Sequence, residues 1–424
     1  MGILPVLMLD LNPAWNKTDM MQTRLKFAAR WAAIGTAVAA LTSPAFAQKK
    51  YDSGADDKEI KIGHIVPYSG PASSYGVIGK TIQAYLDKVN AEGGINGRKV
   101  KLISLDDAYN PSKTVEQARK LVEEEEVLAV FNPLGTPPNS AIHKYMNAKK
   151  MPQLFVATGA TKWGDPKNFP WTMGWQPPYQ AESKIYAAHL LETKPNAKIA
   201  ILYQNDDYGK DYLKGFEDGL GDKAKTMIVA KQTYEVTDPT VDSQLLSLKA
   251  SGADTFFNIT TPKFAAMVIK KNADIGWKPV HYLNNVSISV SSVMQPAGLE
   301  NGIGIITSQF IKDPTDPQWA NDPAMKEWTE FMKKYNKDVN LADVNGVYGY
   351  SVSQTLVHVL KMCGDNLTRE NIMKQAASLD MNLPMLLPGV NLKTGPDDFY
   401  PIERERLAKF DGKTWVQFGK VYGR

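Results

Sequence analysis

Histidine, cysteine, serine and the acids are the side chains from which most active sites are built, and in this chain their spacing builds little. The five histidines, His64, His143, His189, His281 and His358, show none of the paired spacings of a metal site. Cys363 stands alone in a helical pattern before Gly364, with no base near it in sequence, and no Gly-x-Ser-x-Gly elbow occurs. Ser74-Tyr75-Gly76-Val77-Ile78-Gly79-Lys80-Thr81 has the outline of a phosphate-binding loop, but Ser74 occupies the place of its first glycine. Glu123 to Glu126 reads as a solvated helix end. No basic block is long enough to grip nucleic acid, and the net charge over 424 residues is only +4. No cofactor, metal or nucleic acid is expected, and the chemistry left to such a chain is recognition.

The beginning of the chain carries an address. From Met20 or Met21, either of which would serve as a start, come Arg24, Lys26 and Arg30, then an apolar run from Trp31 to Leu41, then Ala45-Phe46-Ala47. A basic stretch, a short apolar stretch and an Ala-x-Ala end make a secretory signal peptide. The run is too short to span a bilayer. Cleavage after Ala47 leaves 377 residues, more than one hydrophobic core usually supports, so two domains are expected. The cleavage position carries Gln48 rather than the cysteine that a lipoprotein needs, which predicts a protein free in the periplasm. One cysteine also excludes an internal disulfide.

The elements that must position a site alternate. Strands are expected at Glu59–Val66, Val100–Leu105, Val127–Phe131 and Gln153–Ala157, and helices at Ile78–Val89, Pro111–Glu126 and Asn139–Ala148. The rhythm restarts with strands at Lys198–Tyr203, Met227–Gln232, Thr255–Ile259 and Val280–Leu283. Helices over Gly209–Asp218, Val241–Ala250 and Phe264–Asp274 fall between them. A strand near Ile303–Ile306 and helices over Met325–Tyr335 and Val344–Met362 complete the pattern. Such alternation predicts parallel sheets covered by helices on both faces. The Pro- and Trp-rich stretch from Phe169 to Pro178 reads as a crossing between two such units, and Asp313 to Pro317 as a second break.

These residues resemble a family. Ile62-Gly63, Tyr68-Ser69-Gly70-Pro71, Tyr75-Gly76, Asn90-Ala91-Glu92-Gly93-Gly94-Ile95-Asn96-Gly97-Arg98 and Asp106-Asp107 look like the opening of the leucine/isoleucine/valine-type periplasmic binding proteins. Gly159-Ala160-Thr161 and Tyr208-Gly209 continue the likeness. The resemblance implies two Rossmann-like lobes joined by three crossings, the type I, Venus-flytrap arrangement, with the ligand in the cleft. It implies a first lobe of 58–175 with 309–388 and a second of 176–308 with 389–424, with a last strand near Ile402–Phe410 returning to the second. It also implies a monomer that delivers a small carboxylate to the permease subunits of an ABC importer and performs no bond chemistry.

Carried over by position, the ligand would meet Tyr75, Gly135, Thr136, Gly159, Ala160 and Thr161 from the first lobe and Tyr208 from the second. Helix starts after parallel strands suit a carboxylate, because free amides and the helix dipole favour an anion there. Each residue also has a plainer role. Tyr75 suits loop packing, Thr136 and Thr161 suit helix caps, and Tyr208 suits surface. The chain departs from the family at Lys263, which stands where branched-chain amino-acid binders carry the Glu that pairs with the ligand's ammonium. A lysine there repels an ammonium. An organic acid, aromatic or branched, is therefore expected over leucine, isoleucine or valine, unless Lys263 is simply a solvated helix-start lysine. The rival readings are a true branched-chain amino-acid binder, a receptor that reports to a membrane sensor, and a periplasmic enzyme.

Overall fold

The computed structural model describes residues 49–423, so the signal-peptide segment 1–47 lies outside the described residues. Two sheets organise the remainder. The first has five parallel strands in the order β2-β1-β3-β4-β5: β1 Glu59–Val66, β2 Lys99–Asp106, β3 Ala129–Phe131, β4 Gln153–Val156 and β5 Thr172–Gly174. The second has seven in the order β12-β11-β10-β9-β8-β6-β7: β6 Ile199–Gln204, β7 Ile228–Tyr234, β8 Thr255–Ile259, β9 Val280–Leu283, β10 Ile306–Gln309, β11 Glu405–Phe410 and β12 Trp415–Tyr422. The last two run antiparallel to their neighbours. Central strands such as β4 and β8 are buried at every residue and mostly apolar, which helices on both sides of a parallel sheet require, with Gln153, Thr255 and Asn258 as buried polar exceptions. The fold is the two-lobe α/β architecture. Among the described residues no helix is long and apolar enough to cross a membrane.

The helices are α1 Gly76–Ala91, α2 Pro111–Arg119, α3 Thr136–Ala148, α4 Tyr179–Thr193, α5 Asp207–Leu220, α6 Asp242–Ala250, α7 Pro262–Asp274, α8 Pro323–Tyr335 and α9 Val344–Cys363. Several begin earlier than the pattern of apolar residues alone indicates. In α3 and α7 prolines occupy the first turn, where their missing N–H costs nothing. In α5 the Asp206 carboxylate accepts from the Tyr208 and Gly209 amides and starts the helix.

Other expectations need correction. The predicted helix 111–126 is α-helical only to Arg119 and continues as a π-turn over Lys120–Glu124. The strand expected at 303–306 begins at Ile306, because a 3₁₀ turn at Leu299–Gly302 and Gly304 at φ +91° come first. Within the stretch read as a crossing, Thr172–Gly174 pairs as β5. The closing strand β12 had no counterpart in the sequence reading.

Helices α4 and α5 pack at backbone contact. A Cβ at Gly215 would lie 2.3 Å from Gln180 Cα and 2.6 Å from its carbonyl oxygen. Neither partner is a flexible side-chain tip, so the helices must part. Gly215→Ala is expected to cost about 1–3 kcal/mol despite alanine's better helix propensity. Urea unfolding reads the loss, and a variant as stable as the wild type would refute this account of the contact.

Candidate functional site

The strand ends of both sheets converge on one cavity of about 70 Å³, room for roughly five waters or one small ligand. From the first lobe come Tyr75 and Ile78 at the start of α1, Tyr109, and Leu134 to Thr136 between β3 and α3. From the second come Tyr208, Thr261, Asn285, Val286 and Ile288 after β6, β8 and β9. The chain crosses between the lobes at Trp175–Pro178 and again beyond Gln309, and Gln176 and Phe310 line the wall as well. No Asp, Glu, Lys, Arg or His is among its lining residues.

Gly135 shapes the floor. Its φ of +97° and a Cβ that would sit 2.5 Å from the Tyr109 ring both require glycine. Helix α3 then starts at the cavity. The Gly135 N–H is taken by the Ala157 carbonyl, and Pro137 and Pro138 have no N–H. The Thr136 amide is left for a partner outside the helix, at the positive end of the dipole. Thr136 Oγ1 lies 2.6 Å from Thr158 Oγ1.

The walls are phenols. Tyr75 donates to the Val286 carbonyl at 3.0 Å, a bond from one lobe to the other, and the Tyr208 hydroxyl accepts from Asn284 Nδ2 at 2.8 Å. Burial pushes the phenol groups of Tyr75, Tyr109, Tyr179, Tyr208 and Tyr348 well up from their ordinary value, so they stay neutral and able to donate. Gln309, at the end of β10, is 1% exposed, and both polar atoms of its amide are without a protein partner.

Behind the wall two buried carboxyls share Asn285. Its backbone N–H donates to Glu182, which also accepts from Tyr186 and Tyr212, and its side chain donates to Glu405, which accepts from Ser308 as well. Among the described residues no cation pairs with either acid. Burial raises both, Glu405 to about 7, and the proximity of Glu405 raises Glu182 further.

Of the residues expected from sequence, Tyr75, Gly135, Thr136 and Tyr208 meet at the cavity and four do not. Thr161 instead ties the lobes: its N–H and Oγ1 both donate to Asp211 Oδ2 on α5, at 2.8 and 2.9 Å. Next to it Lys162 pairs with Asp207 at 2.6 Å, and Ser140 also reaches Asp207. Ala160 borders the rim of this contact. Gly159 is covered by Tyr179, whose N–H donates to its carbonyl at 2.7 Å. Lys263 is the clear correction. As the second residue of α7 it turns outward while Phe264 and Ala265 turn into the core, and its ammonium lies 5.5 Å from the Phe264 ring centre, exposed. Thr261 lines the cavity in its place.

Sequence reasoning missed Tyr109, Tyr179, Asn285, Gln309 and Tyr348. The available signal was the rule that ligands meet the carboxyl ends of parallel strands, which points to Asn285 after β9 and Gln309 at the end of β10.

The profile of the periplasmic binding protein family matches residues 59–411, and the chain belongs to that family, the substrate-binding proteins of transporters. It is 24% identical over 299 residues to Leu/Ile/Val-binding protein homolog 7 of Brucella suis biovar 1, covering 66% of this chain and 71% of that one. A branched-chain amino acid ABC transporter structure from Thermus thermophilus with bound valine superposes with a TM-score of 0.78 at 15% identity, over 87% of this chain and 98% of its own. A solute-binding protein of an R. palustris ABC transporter, in complex with 4-hydroxybenzoate, gives 0.73 at 17% identity, over 86% and 97%.

Proposed function

We infer that this protein captures a small organic carboxylate between its lobes in the periplasm and presents it, as a monomer without a cofactor, to the permease subunits of an ABC importer. The observation that carries the reading is the uncharged, phenol-lined cavity with the start of α3 open to it. The carboxylate is received by the Thr136 amide, Thr136 Oγ1 and the tyrosine hydroxyls, while Gly135 keeps the approach clear. An α-amino acid would add an ammonium, and no acid faces the cavity to receive it. A buried charge without a partner costs several kcal/mol. This absence, rather than any repulsion from Lys263, disfavours leucine, isoleucine and valine. Aromatic and branched bodies suit the tyrosine faces. The related folds that hold valine and 4-hydroxybenzoate indicate that the scaffold serves either chemistry. Calorimetry with benzoate-type and branched aliphatic acids is expected to give micromolar binding, with leucine at least about 100-fold weaker. Micromolar leucine binding with no heat from any acid would reverse the assignment.

A further inference from the structure

One feature of the cavity is left unexplained by a carboxylate alone, and the inference drawn from it rests on the carboxylate reading. Gln309 is 1% exposed, yet neither Nε2 nor Oε1 has a partner. Other buried amides are satisfied in part or whole by the protein: Asn285 donates to Glu405, Asn284 to Tyr208 and Asn132 to the Phe155 carbonyl. Buried polar groups left unpaired are rare and costly, so this one calls for an occupant that supplies both a donor and an acceptor. A carboxylate only accepts. It would satisfy Nε2 and set its charge against the lone pairs of Oε1. A hydroxyl does both, donating to Oε1 while accepting from Nε2. The phenolic walls place such a group on a flat apolar body, and the α3 start takes the other end of the molecule.

We propose that Gln309 reads a hydroxyl group on the ligand, so that the protein takes a hydroxy-substituted aromatic acid in preference to its deoxy analogue. Sites built to bond a hydroxyl reject the analogue lacking it, because their own groups are then buried unpaired. Calorimetry of the full chain with 4-hydroxybenzoate and with benzoate tests this. Wild type is expected to favour the hydroxy acid by at least about tenfold. Gln309→Met, close in length and without the amide, is expected to bind the two acids alike. Its melting temperature in the free state should be equal to the wild type's or higher, since no protein hydrogen bond is lost. Equal binding of both acids by the wild type would overturn the role of Gln309 and leave the carboxylate reading standing. A preference that survives in the variant, or a free variant that melts lower, would also overturn it, the amide then being structural. Binding of neither acid overturns the role of Gln309 as well, and the branched aliphatic acids then decide the carboxylate reading separately.

Discussion

Between pH 6.5 and about 4.5 the protein is expected to lose roughly 5 kcal/mol of stability through two histidines alone. His64, on β1, is fully buried; its Nδ1 lies 2.9 Å from the Phe131 carbonyl and its Nε2 has no partner. His281, on β9, lies 3.2 Å from Asn258 Nδ2 and packs against the Phe256 ring. Burial holds His64 down to about 4 and His281 down to about 3. The unfolded chain protonates near 6.5 and the folded one does not. The stability these rings contribute is therefore complete above 6.5 and is lost as pH falls toward 4. Two pH units across two groups give the stated figure, a large part of the 5–15 kcal/mol typical of a whole domain. Glu405 works in the opposite sense: raised to about 7, it adds stability below its ordinary value and gives it up as pH rises toward neutrality. The histidine contribution is isolated by comparing wild type with His64→Asn in urea at pH 7.5, 6 and 4.5. The variant should start weaker and lose less on acidification. Parallel losses would show that His64 carries none of the effect.

Removing the carboxyls that join the lobes is expected to weaken ligand binding by about 30- to 100-fold. Asp211 accepts from the Thr161 N–H and Oγ1 and from Gln180, in a half-buried position, and hydrogen bonds to a charged group contribute about 1.5–3 kcal/mol. The exposed Lys162–Asp207 pair adds at most about 1 kcal/mol. Asp207→Ala with Asp211→Ala leaves every cavity residue in place and acts only on the closed arrangement. Apparent affinity falls by the fraction of molecules still closed. Small-angle scattering of the free double variant should show a larger radius than wild type, and calorimetry a lower affinity for whichever acid the wild type binds most tightly. A variant with wild-type radius and affinity would mean that Tyr75 and the crossings hold the lobes together unaided.

How far the sequence reached is clearest at particular residues. The strands of both sheets were readable because parallel strands buried on both faces are short, mostly apolar runs with helices between them, as Phe256, Phe257 and Ile259 show in Thr255–Ile259. The edge strands were harder. Thr172–Gly174 is three residues within a Pro-rich stretch, and Trp415–Tyr422 is interrupted by Gly419 and Lys420 on an exposed edge. At the cavity, Tyr75, Gly135, Thr136 and Tyr208 were found through family resemblance. Position in an alignment does not give direction, however. Lys263 holds a familiar place in the loop, but one turn of helix geometry sends its side chain to solvent. Thr161, four residues beyond Ala157 on the wall, found a carboxylate belonging to the other lobe. Gln309 carries no motif, and its interest lies in what it lacks, which only coordinates reveal.

Ser308, Gln309, Phe310 and Ile311 leave the second sheet and Gln176 leads into it, and all of them border the cavity. The cavity therefore has a wall at the pivot as well as on the two jaws. A wedge near a pivot moves the far ends of the arms more than the same wedge set near their tips. A guest pressing on that wall would convert its length into an angle between the two sheets. A membrane partner resting on the outer faces of both lobes would read that angle, telling a long guest from a short one without touching either.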